Sequence, residues 1–252
     1  MSYSIVTIRS EDDTEDDWLY PQLDDHAGSA VVALTPDDGH PTALRAKGLM
    51  VHAFVGGSSK KLLELRDVDI ELHITDTRVV IGCDKYDKGG GWVGFGAGAF
   101  FALAANGVSK ARAAYRRKGK ALVGQIRYPW LDSVGGSPKE GWLSEEELRV
   151  VARRSAADGG GLIGMTLTLN KREDSMAVAQ EIAHRAAAWH LSHADRDSDN
   201  HDALDALSHA PRLTAAPKAF VLHRFPAAQP ATAAVADATS SPGAPTSEDT
   251  ER

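Results

Sequence analysis

Short runs of alternating apolar and polar residues, each closed by turn formers, restrict this chain's fold more than any other feature. Leu49, Val51, Ala53 and Val55 recur at the two-residue period of a half-buried strand and end at Gly56-Gly57-Ser58-Ser59. Leu62 through Leu72 continues in strand style, with Ile70, Leu72 and Ile74 alternating against Asp69, Glu71 and His73. Thr75-Asp76-Thr77 reads as a tight turn, because an Asp side chain can bond its own backbone there, and Arg78-Val79-Val80-Ile81 follows as a short buried strand. Farther on, Ala121–Leu131 is β-like until Pro129 ends it or confines it to an edge. Gly135-Gly136-Ser137-Pro138 reads as a loop. Leu148, Val150 and Ala152, then Met165, Leu167 and Leu169, restore the alternation on either side of the Asp158–Gly161 turn. Short strands at this spacing predict an antiparallel sandwich or barrel.

After Leu169 the period changes. Val178, Ile182, Ala186 and Trp189 recur at helical spacing, so a helix over 174–191 is predicted with that stripe on the core. Glu173 and Asp174 fall in its first turn, where acids suit the helix dipole, and Asn170 with Glu173 is a candidate capping pair.

The flanks differ in composition. Between Ser10 and Leu44 lie ten acids, among them Asp37 and Asp38, and no Lys or Arg. Like charges repel, so residues 1–46 are expected to be a solvated, partly disordered arm, with Ile5, Val6 and Ile8 as a short β-like run and Trp18–Pro21 as an island able to dock. Ordered structure is expected from Lys47. Residues 192–252 are polar or rich in Ala, Pro, Ser and Thr, and are expected to be a disordered tail. A single cysteine, Cys83, excludes an internal disulfide framework and fits a reducing compartment. No signal-peptide pattern opens the sequence, so a cytoplasmic protein is expected.

Residues 84–120 interrupt the strand pattern. The 21 residues from Gly89 to Ser109 carry no charge and include seven glycines; Lys110, Arg112, Arg116, Arg117, Lys118 and Lys120 then follow without an acid. The net charge of −7 gives the whole chain no pull toward anions, so this local basic run has to supply any such affinity. Seven glycines, each costing about 1 kcal/mol against Ala in a helix, argue against a membrane span. A shallow contact suits the segment better: Trp92, Phe95, Phe100 and Phe101 would enter the interface, and the basic run would lie on anionic headgroups. The plain structural reading is a helix over Val93–Leu103 packed on the sheet, with a solvated basic end. Gly94–Gly98 lacks the Lys-Ser/Thr ending of a phosphate loop and the parallel context of a dinucleotide site. Tyr115 alone is thin support for nucleic-acid stacking.

The run Leu72-His73-Ile74-Thr75-Asp76-Thr77-Arg78-Val79-Val80-Ile81 resembles the hydrophobic-Thr-(Asp/Asn)-x-Arg-hydrophobic hairpin of bacterial PH-like and GRAM-like domains of the pleckstrin-homology superfold. A final strand, Leu162–Leu169, running into the 174–191 helix adds to the resemblance, which spans Lys47 to Leu191 around the insertion. It implies a mainly β barrel or sandwich capped by a C-terminal amphipathic helix, and binding of a lipid headgroup or a peptide without catalysis.

Other constellations are weaker. His190 and His193 with Asp195-x-Asp197-x-Asp199 suggest a calcium loop, but Asn200 stands where the turn glycine belongs and Ala206 where the bidentate Glu belongs. A Cys83–His73 nucleophile–base pair is the enzymatic alternative, with no oxyanion site in the pattern. The sequence therefore points to a noncatalytic binding or adaptor module needing no cofactor or metal. Its expected surface is Trp92, Phe95, Phe100, Lys110, Arg112, Arg116, Arg117, Lys118 and Lys120, and its expected partner is an anionic membrane surface or a protein.

Overall fold

A computed structural model of the chain describes residues 3–8, 23–26, 29–83, 121–139, 141, 144–154, 160–193 and 200–226. Among them are eleven strands: β1 (Tyr3–Ile8), β2 (Leu23–His26), β3 (Ser29–Val32), β4 (Thr42–Val55), β5 (Ser58–Ile74), β6 (Arg78–Cys83), β7 (Ala121–Arg127), β8 (Leu131–Ser137), β9 (Glu147–Arg153), β10 (Leu162–Leu169) and β11 (Val221–Arg224). The described residues also hold two α-helices, α1 (Ser175–His193) and α2 (His201–Ser208). Nine strands form one antiparallel sheet in the order β1-β7-β6-β5-β4-β10-β9-β8-β11, and β2 pairs with β3 alone.

Because β4 pairs with β10, two meanders join into one sheet that curls round a single core. Alternation sets which side chains enter it. Leu148, Val150 and Ala152 of β9 and Met165, Leu167 and Leu169 of β10 are fully buried there, as their spacing predicts. In β5 the inward phase changes: Leu63 and Leu65 point in, and then Val68, Ile70, Leu72 and Ile74. The change falls at Asp67, whose φ of 55° is left-handed, where the β4–β5 register shifts between Ala46 and Gly48. A bulge of this kind bends a strand and keeps the apolar set inward through the bend.

Helix α1 packs across β8 and β9 and buries Val178, Ile182 and Ala186, with Trp189 partly buried beside the core. Its cap is not the Asn170–Glu173 pair. Asp174 Oδ1 accepts from the backbone N–H of Met176 (3.0 Å) and Ala177 (3.1 Å), while Glu146 accepts from the Ser175 N–H at 3.1 Å. Asn170 instead accepts the Glu173 N–H through its main-chain carbonyl.

Three further sequence expectations are corrected. Regular structure begins before Lys47: β4 starts at Thr42, and a 3₁₀ turn at Pro36–Asp38 precedes it. Gly135 and Gly136 lie in β8 and not in a loop, because neighbours crowd their backbone on both sides. A Cβ on Gly135 would lie 2.0 Å from the Val221 carbonyl oxygen, and one on Gly136 would lie 2.6 Å from the Ser175 carbonyl. Within the stretch read as tail, α2 buries Leu204 and β11 pairs with β8, so a few apolar anchors (Leu204, Phe225) order a segment whose average composition is polar. Pro129 does end its strand, in a 3₁₀ turn at Tyr128–Trp130.

Candidate functional site

The residues on which sequence placed binding, Trp92, Phe95, Phe100, Lys110, Arg112, Arg116, Arg117, Lys118 and Lys120, all lie outside the described residues. The structure does describe where their segment is mounted. Strands β6 and β7 keep one unbroken register from Arg78↔Arg127 to Cys83↔Leu122. The chain thus leaves and rejoins the sheet at one hairpin position, across residues 84–120. Hairpin loops ordinarily take two to five residues, and loops beyond about 15 are usually functional or linker segments.

Below that hairpin lies the most heavily built polar centre of the described structure. Directly opposed strand residues share a face, so Arg78, Val80, Gly82, Val123, Gln125 and Arg127 lie on the side away from the core, with Glu71 and His73. Asp38 arrives there from the 3₁₀ turn. Its carboxylate accepts Arg78 Nε at 2.9 Å and Nη2 at 2.6 Å, Thr77 Oγ1 at 2.9 Å and the Thr35 N–H at 2.9 Å. Arg78 Nη1 donates to Gln125 Oε1 at 2.7 Å. The two charged side chains are 0% and 1% exposed. Burial alone would raise the Asp38 carboxyl, but hydrogen bonds from Arg78, Thr35 and Thr77 outweigh it and hold the group at about 2. Around the pair, Thr75 Oγ1 donates to the Arg78 carbonyl (2.8 Å) and the Tyr128 hydroxyl to the Thr75 carbonyl (2.6 Å). Burial pushes the Tyr128 phenol up, so it stays protonated. From α1, Arg185 reaches Asp76 at 2.6 Å and the His40 carbonyl at 3.0 Å.

This centre is saturated. Both oxygens of Asp38 and all the donors named have partners, so it fixes the Thr75–Arg78 turn and the segment before β4 and offers nothing to a ligand. By composition Asp38 belongs with the solvated acids of the N-terminal arm; the structure buries it instead. The local signal was Thr35-Pro36-Asp37-Asp38, a capping box around a Pro-initiated turn, which the structure forms.

The Cys83–His73 alternative is not assembled. Cys83 lies on the core side with Ile81, whereas His73 is opposed to Val80 on the other face, so the sheet separates thiol from imidazole. His73 Nε2 lies 3.6 Å from Glu71. The C-terminal histidines are committed to backbone: His184 Nε2 donates to the Ala210 carbonyl and His190 Nε2 to that of Tyr128, each at 2.9 Å. Among the described residues no three His, Cys, Asp or Glu side chains are grouped to hold a metal, and no helix is long and apolar enough to cross a membrane.

Two exposed features remain. A shallow cleft of about 310 Å³ crosses the bulge of β4 and β5, with Lys47, Arg66, Asp67, Glu147 and Thr166 on its walls. At the β4–β5 turn, Phe54 and Val55 are 37% and 44% exposed beside the exposed Lys60 and Lys61. Sequence marked that turn but not the exposure of its apolar pair.

No family model matches this chain, and no curated protein or solved structure matches it either.

Proposed function

We propose that the chain is a noncatalytic binding module of the pleckstrin-homology type, PH-like or GRAM-like, that engages an anionic membrane surface from the cytoplasmic side through residues 92–120. The observation that carries this reading is the unbroken β6–β7 register: the ladder is complete on either side of the insertion, so a segment with five aromatics and six basic residues is inserted at one hairpin position without being needed for the ladder. The strand order supports the PH-like part, since two antiparallel meanders, β4 to β7 and β8 to β10, join where β4 pairs with β10, and β10 runs directly into α1. Apolar insertion combined with lysine and arginine on anionic lipid gives about 1 kcal/mol per basic residue near the surface.

Co-sedimentation with liposomes tests it. Binding to vesicles containing anionic lipid, absent on neutral vesicles, weakened by salt and lost in Arg116→Ala/Arg117→Ala/Lys118→Ala, is the expected result. No binding to either vesicle type removes the membrane reading and leaves a protein partner at the same surface.

A further inference from the structure

Residues 209–226 cross the molecule as a strap held on one side of the sheet. Gln180 Nε2 and His184 Nε2 of α1 both donate to the Ala210 carbonyl, at 3.1 and 2.9 Å. The Lys218 N–H donates to the Pro138 carbonyl, and β11 then pairs with β8 from Val221↔Gly136 to Arg224↔Ser133. Past β11, the Phe225 N–H donates to Asp132, and Arg153 donates to the Phe225 carbonyl at 2.8 Å and the Pro226 carbonyl at 3.2 Å. The Phe225 ring is buried in the core, 6.0 Å from that of His190.

Histidines sit where this strap closes. His223 opposes Val134, a core residue, so its ring faces inward and is buried beneath the strap itself. His190 lies between Phe225 and the Tyr128 carbonyl. We propose that residues 209–226 are a pH-released strap: protonation of His223 and His190 on acidification drives β11 off the β8 edge and opens Ser133–Gly136 and the adjoining face of α1.

The charged surroundings support release. His184 on α1 faces His223, and Arg153 of β9 and His193 of α1 face His190; each disfavours the cation at the ring it faces. On β8 the Asp132 carboxylate is paired with Arg153 at 3.1 Å, and on α2 Asp202 and Asp205 are exposed, Asp205 toward His209 at 3.8 Å. Burial is the largest cause lowering both rings, and at His190 it outweighs the bond to Tyr128 that favours the cation. The sign follows. Rings that titrate below the ordinary 6.5 when docked take up protons more readily when released, so docking is complete above pH 6.5 and weakens as pH falls. The limit is about tenfold per histidine per pH unit.

The test is an NMR titration of the full chain from about pH 7.5 to about pH 5, the range in which histidine switches. Cross-strand contacts between Val221–Arg224 and Ser133–Gly136 are expected to vanish with a midpoint below 6.5, while those between β4 and β10 persist. His190→Gln/His223→Gln is expected to keep the β11 contacts through about pH 5. His223→Lys is expected to lose them throughout. Should the glutamine variant fail to dock, the ring protons of His190 and His223 in the unaltered chain decide: they have to titrate at the midpoint of β11 loss. Persistence of β11 pairing at about pH 5, the same midpoint in the glutamine variant, or ring titration apart from release overturns the proposal.

Discussion

The segment that precedes β4 and the segment that follows α1 both lie against the same sheet, yet they are held by opposite electrostatic means. The first puts a full carboxylate under cover and neutralises it with Arg78, Thr77 and the Thr35 backbone. The second has ladder bonds, a buried phenylalanine and imidazoles that favour neutrality. Their working ranges differ accordingly. Asp38, lowered from 3.8 to about 2, contributes stability that is complete above pH 3.8 and is lost as pH falls through about 2. The strap's histidines fail in the range above that. One sheet thus carries a clamp that mild acid does not loosen and a strap that it does.

Breaking the clamp has the largest expected effect. Asp38→Ala leaves the Arg78 guanidinium 1% exposed with Gln125 as its remaining named side-chain partner, and a buried charge stripped of its counterion costs about 3–5 kcal/mol. Urea unfolding at neutral pH measures it. Asp38→Leu/Arg78→Met removes both charges and is expected to recover most of the loss; a double variant as unstable as the single one breaks the account. The same clamp predicts that acid unfolding of the unaltered chain gains a component of about 2 kcal/mol between pH 3.8 and about 2, absent from the double variant.

Breaking the strap is expected to cost less and to act locally. Gly135→Ala places a Cβ 2.0 Å from the Val221 carbonyl oxygen and 2.6 Å from the Leu222 side chain, so β11 has to move out at every pH. Overpacking of this kind costs about 1–3 kcal/mol. Hydrogen exchange is expected to accelerate in 221–224 while β9 and β10 keep their protection. Equal loss of protection in β9 and β10 makes the strap part of the cooperative core and removes the contrast drawn above.

Where the physics was local, the sequence was legible. Alternation in β9 and β10 and the helical stripe Val178, Ile182, Ala186 each declare a buried face within a few residues, and the structure uses those faces. Asp38 was illegible because its meaning depends on Arg78, forty residues away, while its neighbours are acids whose density signals solvation. Gly135-Gly136 carries a loop's composition for a packing reason, since β11 lies 85 positions on from Gly136 and α1 starts 39 on. Asp67 hides a phase change that period-counting across β5 passes over. The candidate binding residues 92–120 were legible as a composition, uncharged and then basic; their hairpin mount needed the β6–β7 register.

The smallest expected effect separates cap from latch at Asp174, the point where the strap's connection meets α1. Its Oδ1 accepts from Met176 and Ala177, and its Oδ2 pairs with Arg212, both side chains of that pair being about half exposed. Asp174→Ala loses both roles and is expected to cost about 1 kcal/mol, the usual worth of an N-cap. Asp174→Asn keeps an acceptor for the cap but not the ion pair, and Arg212→Ala removes the pair from the other side. An exposed pair contributes about 0–1 kcal/mol and less in salt, so both variants are expected to lie near the unaltered chain in denaturant unfolding and to leave the β11 contacts in place. Release of β11 by Arg212→Ala, reversed by nothing but restored charge, makes the strap a charged clamp like the one at Asp38 and dissolves the distinction between the two ends of the chain.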